Sequence, residues 1–137
     1  MVEYVDKIPS LEEYKQLRDA ADWNLASRGI SDERAQESLS AAPYCVCAYD
    51  NGKIVGMVRM SGDRGMYGYI QDTIVVPEYQ GKGVGSAMMQ RILAMVKDKK
   101  GYLIGVCPSK VSVEFYQKFG FVKRPENPNG FMSIEIK

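Results

Sequence analysis

The sequence predicts an α/β protein built on a mixed sheet. Short apolar strands alternate with amphipathic helical segments along its 137 residues. Two strands in the first half are separated by a tight turn, which is typical of an antiparallel hairpin. A later strand follows its predecessor through a long helix, and such a crossover makes the two strands parallel neighbours. The length favours a single domain over residues 1–137.

The first forty residues are predicted to hold a strand and two helices. Weak alternation of apolar and polar residues over positions 4–8 indicates the strand. Ser10 and Glu13 form a capping box that begins the first helix, which runs to about Asp22. Ser31 caps a second helix, which ends before Pro43.

A hairpin, a longer strand and a long helix are predicted next. Residues 44–49 and 54–60 are strand-like and flank the turn sequence Asp50-Asn51-Gly52-Lys53. Residues 67–76 form a third strand, which is longer and more buried. A glycine loop then leads into an amphipathic helix that ends at Gly101. Its apolar face consists of Val84, Met88, Ile92, Met95 and Val96.

The C-terminal part of the chain completes the sheet. Residues 102–106 form a short apolar strand, and residues 111–118 form a helix of one to two turns. Residues 120–122 begin a further strand, a proline and glycine loop follows at 125–130, and residues 131–136 form the last strand.

Composition excludes several classes of function. The net charge of +1 lacks the basic excess of a nucleic-acid-binding protein. Histidine is absent, which excludes Ser-His and Cys-His catalysis and histidine metal sites, so no metal is predicted. Cys45 and Cys47 are predicted to pack on the same side of a strand. No signal sequence and no apolar run of ~20 residues is seen, so we expect a cytoplasmic protein without a membrane partner.

A loop with three glycines joins the strand at 67–76 to the long helix. Glycines at positions 81, 83 and 85 allow close approach of the backbone, and the helix N-terminus adds its dipole. These features predict a site for an anion, most simply a phosphate. The loop lacks the Gly-Lys-Ser/Thr of a P-loop and the glycine spacing of a dinucleotide-binding fold.

The glycine loop belongs to a wider pattern. Gln80, Gly83 and Gly85 match Gln/Arg-x-x-Gly-x-Gly/Ala, preceded by Val75-x-Pro77-x-Tyr79 and followed by Phe115-Tyr116-Gln117-Lys118-Phe119-Gly120-Phe121. Over nearly its whole length the chain resembles the GNAT superfamily of acetyl-CoA-dependent N-acetyltransferases. The resemblance implies a mixed, mostly antiparallel sheet of six or seven strands with a splayed parallel pair, flanked by about four helices.

The resemblance also implies a site for the cofactor, acetyl-CoA. The backbone of residues 80–86 would bind the pyrophosphate, and exposed backbone of Ile74 and Val76 would pair with the pantetheine arm. Lys82 either assists at the phosphates or is a solvated loop lysine. Ser109 stands where many members have an asparagine. The full implied set is Ile74, Val75, Val76, Gln80, Gly81, Lys82, Gly83, Val84, Gly85, Ser86, Ser109, Ser112 and Tyr116.

Two residues are candidates for proton chemistry. By resemblance, Tyr116 supplies a proton to the departing thiolate, although it could instead be a core aromatic residue. Asp72 is a candidate base, a substrate-amine anchor, or a structural hydrogen-bonding residue. Some members carry the base one position earlier, where this chain has Gln71, which accepts no proton.

The acceptor side is less defined by the sequence. Trp23, Tyr67, Gln71 and Asp72 are candidates to bind substrate, although Trp23 could instead fill the core. Specificity is expected from the first two helices and the loop at 124–130. The sequence does not fix the oligomeric state, and a homodimer is compatible with it.

Three functions fit these residues. The leading one is direct acetyl transfer from acetyl-CoA to a primary amine of a small molecule, because no histidine is present to activate Cys107 for a covalent route. The second is an N-acetyltransferase acting on a protein or peptide. The third is a non-catalytic regulatory module that binds acyl-CoA.

Overall fold

The computed structural model describes residues 1–109, 112–124 and 131–137. It contains a seven-stranded sheet and four α-helices. In chain order the elements are β1 (Val2–Val5), α1 (Leu11–Ala20), α2 (Asp32–Ser40), β2 (Tyr44–Asp50), β3 (Lys53–Gly62), β4 (Tyr67–Val75), α3 (Val84–Ala94), β5 (Leu103–Val106), α4 (Val113–Gln117), β6 (Val122–Lys123) and β7 (Met132–Glu135). Short 3₁₀ turns lie at Ala26–Arg28 and Pro77–Tyr79. The predicted α/β class is confirmed.

The sheet has the order β1-β2-β3-β4-β5-β7-β6 and is mixed. All neighbouring strands are antiparallel except β4 and β5, which are parallel. Their pairing is short, because it begins at Tyr67 opposite Leu103 and ends at Tyr69 opposite Gly105. Beyond Tyr69 the two strands separate, so the predicted splayed parallel pair is present.

A bulge in β4 lies just beyond the point where pairing ends. Arg59 of β3 is opposite Gln71, whereas Met57 is opposite Ile74, so β4 carries one extra residue between these pairs. Asp72 within this interval has a φ of 50°, a left-handed conformation that few non-glycine residues adopt. A bulge bends its strand, which accounts for the divergence of β4 from β5.

Helices cover both faces of the sheet. Leu17 of α1 and Leu39 of α2 are buried with Met57 on one face. Met88 and Ile92 of α3 are buried on the other face, in a cluster that also includes residues from β2 to β5. In the described residues, no helix has the length and apolar character that crossing a membrane requires.

Several predicted boundaries differ from the observed ones; for example, the strand predicted to begin at residue 120 covers Val122–Lys123. The first strand covers Val2–Val5 rather than residues 4–8, because Pro9 has no N–H and the chain turns away toward the capping box at Ser10. Helix α3 ends at Ala94, and turns of the i→i−3 type, such as Lys99 N to Val96 O, continue toward Gly101. The predicted loop at 125–130 and residue 111 of the predicted fourth helix lie outside the described residues.

We expect Gly68→Ala to destabilise the fold where β4 and β5 are still paired. A Cβ on Gly68 would lie 2.4 Å from the sulfur of Met60 and 2.8 Å from the hydroxyl of Tyr102, so the core must shift. Overpacking of this kind lowers the free energy of unfolding by about 1–3 kcal/mol. Urea denaturation measures the loss. Gly65→Ala is the control, since its nearest neighbour would be 3.8 Å away; equal midpoints for the two variants would contradict the expectation.

Candidate active site

A cavity of about 1110 Å³ opens where β4 and β5 separate. One wall is β4 from Tyr69 to Val75, and the opposite wall is the segment from Val106 to Ser109 together with α4. The start of α3 closes one end, and the end of α1 with Trp23 closes the other. This volume is large for a ligand pocket, since such pockets usually measure about 300–1,000 Å³.

Tyr116 presents its hydroxyl at the opening between the strands. The hydroxyl donates a hydrogen bond to Thr73 Oγ1 at 3.1 Å, and the residue is 6% exposed. Its ring packs edge-on against Phe115 and Phe121, with centroids 5.1 and 5.7 Å away. Burial raises the pKa of Tyr116 above its ordinary 10.0, and the Thr73 hydroxyl offsets this only in part. The phenol is therefore protonated at neutral pH, and Tyr116 is both a core residue and a cavity residue.

Asp72 is enclosed by protein partners. Its Oδ1 accepts a hydrogen bond from Arg18 Nη1 at 3.1 Å, and its Oδ2 accepts from Arg59 Nε at 2.6 Å and from the Tyr14 hydroxyl at 2.7 Å. The side chain is 7% exposed. Both oxygens thus accept hydrogen bonds from the protein, which favours the interpretation of Asp72 as a structural hydrogen-bonding residue.

The partners of Asp72 come from different elements. Tyr14 and Arg18 lie one turn apart on α1, and Arg59 lies on β3 opposite the bulge. Arg59 also donates from Nη1 to the carbonyl and hydroxyl oxygens of Ser38 on α2. The ion-pair network therefore joins both helices of one face to the bulge in β4.

Beyond Tyr69, β4 has one edge that is not paired with another strand, and we call it the free edge. The backbone groups of Thr73 and Val75 point toward this edge. The amide of Val76 donates to Val55 O at 2.9 Å, so Val76 faces β3. Because backbone groups alternate along a strand, Ile74 also faces β3 while Thr73 and Val75 face away. The prediction that Ile74 and Val76 present exposed backbone is wrong, because their neighbours Thr73 and Val75 occupy those positions. The bulge sets this alternation, and it could not be located from the sequence.

The glycine loop offers backbone amides to the same cavity. Gly81 and Gly83 have φ values of 75° and 84°, which favour glycine, and a Cβ on either would meet nothing within 4 Å. Gly83 O accepts the Ala87 amide at 3.0 Å, and no side chain caps α3. The amides of residues 84–86 therefore lack partners within the helix. Such amides at a helix N-terminus suit a pyrophosphate.

Not every residue of the predicted loop site lines the cavity. Gln80, Gly81 and Gly85 do, and Gln80 Nε2 donates to Val75 O at 2.9 Å. The Lys82 ammonium lies 5.5 Å from the centre of the Tyr79 ring, away from the cavity wall. Val84, Gly83, Ser86 and Val76 are also absent from the wall, and the Val84 side chain is buried in the core.

Ser109 and Ser112 both line the cavity. Their hydroxyl oxygens are 3.0 Å apart, and the Ser112 hydroxyl also lies within hydrogen-bond distance of Ser109 O, at 3.1 Å. The pair forms a small polar patch facing the edge of β4.

Of the predicted acceptor residues, Trp23, Gln71 and Asp72 line the cavity and Tyr67 does not. Trp23 is 46% exposed, so the alternative that it fills the core is wrong. Tyr67 is paired with Leu103 at the start of β4, ahead of the separation, and Tyr69 lines the cavity instead.

Sequence reasoning missed several residues of the cavity wall. They are Arg18, Arg28, Arg59, Tyr69, Thr73 and Cys107. One signal was available: Arg59 is a charged residue within the apolar segment 54–60, and a buried charge requires a partner such as Asp72. Arg28 carries no comparable signal, because an exposed arginine on a short turn is common.

Known proteins are similar to this chain in sequence over most of its length. It is 30% identical over 123 residues to an uncharacterized N-acetyltransferase ycf52 of Pyropia yezoensis, covering 88% of this chain and 70% of that protein. It is 31% identical over 98 residues to glucosamine 6-phosphate N-acetyltransferase of Trypanosoma brucei brucei, covering 67% of this chain and 65% of that protein.

Solved structures share the fold. A Staphylococcus aureus protein described as a probable acetyltransferase superposes with a TM-score of 0.79 at 31% identity, covering 93% of this chain and 95% of that one. The PaiA N-acetyltransferase of Thermoplasma acidophilum, in complex with coenzyme A, has a TM-score of 0.78 at 16% identity, covering 98% and 99%. Residues 8–121 match the acetyltransferase (GNAT) family. The chain therefore belongs to the GNAT acetyltransferase family.

Proposed function

We propose that this protein transfers an acetyl group from acetyl-CoA directly to a primary amine of a small molecule. The observation that carries the proposal is the buried Tyr116 hydroxyl beside Thr73, at the point where the free edge of β4 enters the cavity. The name of the Trypanosoma relative supports a small-molecule acceptor. The coenzyme A in the Thermoplasma structure supports the cofactor.

The residues present fit coenzyme A. The left-handed glycines 81 and 83 and the unpartnered amides of the first turn of α3 would hold the pyrophosphate without a side-chain charge. The unpaired backbone of Thr73 and the amide of Val75 would bind the pantetheine arm as an added strand, since Gln80 already donates to the Val75 carbonyl. Ser109 and Ser112 would face that arm with their hydroxyl groups.

The proposed reaction needs one proton donor. Acetyl-CoA supplies a thioester, whose C–S bond breaks as the amine nitrogen bonds to the carbonyl carbon. Tyr116 gives its hydroxyl proton to the leaving sulfur, so that neutral CoA thiol departs. The Tyr116 oxygen then regains a proton from solvent in the cavity.

The amine proton takes a different route. Asp72 is occupied by Arg18, Arg59 and Tyr14, and Gln71 cannot accept a proton, so we assign the amine proton to solvent. Guanidinium groups in the cavity wall favour this loss, because positive charge nearby lowers the pKa of an ammonium group. In this proposal Asp72 has a structural role, because its ion pairs stabilise the bulge at which β4 and β5 separate.

Two other functions remain as outcomes of one experiment. Release of CoA thiol is measured with small amines, with peptides carrying a free N-terminus or lysine, and with acetyl-CoA alone. Release with small amines supports the proposal. Release with peptides alone assigns a protein N-acetyltransferase, and binding of acetyl-CoA with no release above background assigns a regulatory module.

We expect Tyr116→Phe to lower kcat about 10²-fold, because loss of a general acid has effects of at least this size. The KM for acetyl-CoA should change little, since the ring is retained. Steady-state kinetics provide the measurement. Tyr44→Phe is the matched control, since Tyr44 is a buried tyrosine outside the cavity wall. Equal kcat values for the two variants would remove Tyr116 from the mechanism.

The pH dependence follows from the direction of the Tyr116 shift. Its pKa is raised above 10.0, so the acid form persists through neutral and mildly alkaline pH. We expect kcat/KM for the amine to rise with pH as the ammonium loses its proton, with no decline before about pH 10. A decline near pH 8 that disappears in Tyr116→Phe would show a lowered Tyr116 pKa and contradict this expectation.

We expect Asp72→Asn to lower the free energy of unfolding by roughly 3–5 kcal/mol, because it leaves two buried guanidinium groups without their counter-charge. Asparagine tolerates a positive φ, so the variant tests charge rather than backbone strain. Asp32→Asn is the control, since its exposed pair with Lys15 is worth about 0–1 kcal/mol. Chemical denaturation compares them; similar losses would contradict a structural role for Asp72.

A further inference from the structure

We infer that the acceptor amine carries an anionic group, a carboxylate or a phosphate, which binds to Arg18, Arg28 and Arg59. The inference rests on the proposed function and adds the chemical class of the acceptor. It starts from the charges in the cavity wall, where the described residues include three arginines and one carboxylate, that of Asp72. The wall therefore has an excess of positive charge.

This excess lies at the acceptor end of the cavity. Arg18 is at the end of α1, Arg28 is on the 3₁₀ turn that follows, and Arg59 contacts Asp72 in the bulge. The other end of the cavity is the glycine loop, which binds through backbone amides. The arginines are therefore not needed for the pyrophosphate, and they would repel a polyamine or a lysine-rich peptide.

The two buried arginines each keep one unused nitrogen. Arg18 donates from Nε to Trp23 O at 2.7 Å and from Nη1 to Asp72, and Arg59 donates from Nε to Asp72 and from Nη1 to Ser38. Within the described part of the chain, neither Nη2 has a recorded acceptor.

These nitrogens are not sealed in the core. Among the described residues no fully buried side-chain nitrogen or oxygen lacks a partner, so an Nη2 without an acceptor retains some solvent exposure. Both side chains are over nine-tenths buried, at 8% and 9% exposed, and both line the cavity. Guanidinium donors in such a setting match the oxygens of a carboxylate or a phosphate.

The acceptor end is also rigid. The Arg18 guanidinium lies between two aromatic rings, 5.7 Å from the Tyr14 centroid and 5.8 Å from the Trp23 centroid. Its ion pair with Asp72 fixes it further. Because little side-chain entropy remains to be lost, an anion bound here would retain most of its interaction energy. Arg28 is exposed, and no acceptor for its guanidinium is recorded among the described residues, so it can approach the same anion.

Matched pairs of amines test the inference. Three amines carry an anionic group: β-alanine, O-phosphoethanolamine and glucosamine 6-phosphate. Their counterparts without that group are β-alaninamide, ethanolamine and glucosamine, respectively. Putrescine serves as a dicationic amine. We expect kcat/KM to be at least about tenfold higher for the anionic member of a productive pair, from charge-assisted hydrogen bonds. The β-alanine and phosphate pairs distinguish a carboxylate from a phosphate.

Arg28→Gln provides the residue-level test, because Arg28 is exposed and its loss should leave the fold intact. We expect the KM for the anionic amine to rise about tenfold, with the KM for acetyl-CoA unchanged. Arg34→Gln is the control, an exposed arginine on α2 outside the cavity wall, and it should change neither KM. The inference is overturned if neutral amines or putrescine are preferred, or if Arg28→Gln affects both members of a pair alike.

Failure of the proposed function has a different signature. If acetyl-CoA binds and no amine of the panel releases thiol, the transferase proposal fails. Calorimetric titration of the same amines in the presence of CoA then decides the inference separately. Preferential binding of β-alanine, O-phosphoethanolamine or glucosamine 6-phosphate, weakened in Arg28→Gln, supports an anion site, and equal or absent binding of both members in every pair overturns it.

Discussion

The rest of the site depends on the carboxylate of Asp72 held between two guanidinium groups. This network joins α1 and β3 to a strand bulge whose φ of 50° is itself unfavourable. The ion pairs compensate for that local strain, and the bulge bends β4 away from β5. Without the separation, the two strands would continue their parallel ladder and close the cavity. One buried charge therefore stabilises the bulge at which the cavity opens.

The proposed mechanism uses Tyr116 as an acid and no protein base, and the Asp72 network accounts for the second part. Tyr116 lies on the far wall, where burial keeps its phenol protonated. Both oxygens of Asp72 already accept hydrogen bonds from the two arginines and Tyr14, so the proposed route gives the amine proton to solvent. In the proposed reaction, the positive wall would favour the neutral amine over the ammonium form.

Local signals in the sequence predicted most of the fold and the backbone conformation of the glycine loop. The capping box at Ser10, the turn at Asn51-Gly52 and the glycine loop each determine backbone geometry by themselves, and the structure contains all three. The exposed edge of β4 and the acceptor side could not be predicted in the same way. Whether Ile74 or Val75 presents its backbone depends on a bulge stabilised by residues distant in sequence, and the exposure of Trp23 depends on how α1 docks.

The two ends of the cavity differ in what they require of the sequence. At the glycine loop, the groups that would bind are backbone amides. There is open space beside Gly81 and Gly83, so a substitution at either position is limited by the left-handed backbone conformation and not by a steric clash. At the other end, the proposed recognition of the acceptor relies on side chains on α1 and the turn after it. Substitutions there can change the acceptor while the cofactor end stays intact. This division would let one scaffold acquire new acceptors by a few exchanges near Trp23 and Arg28.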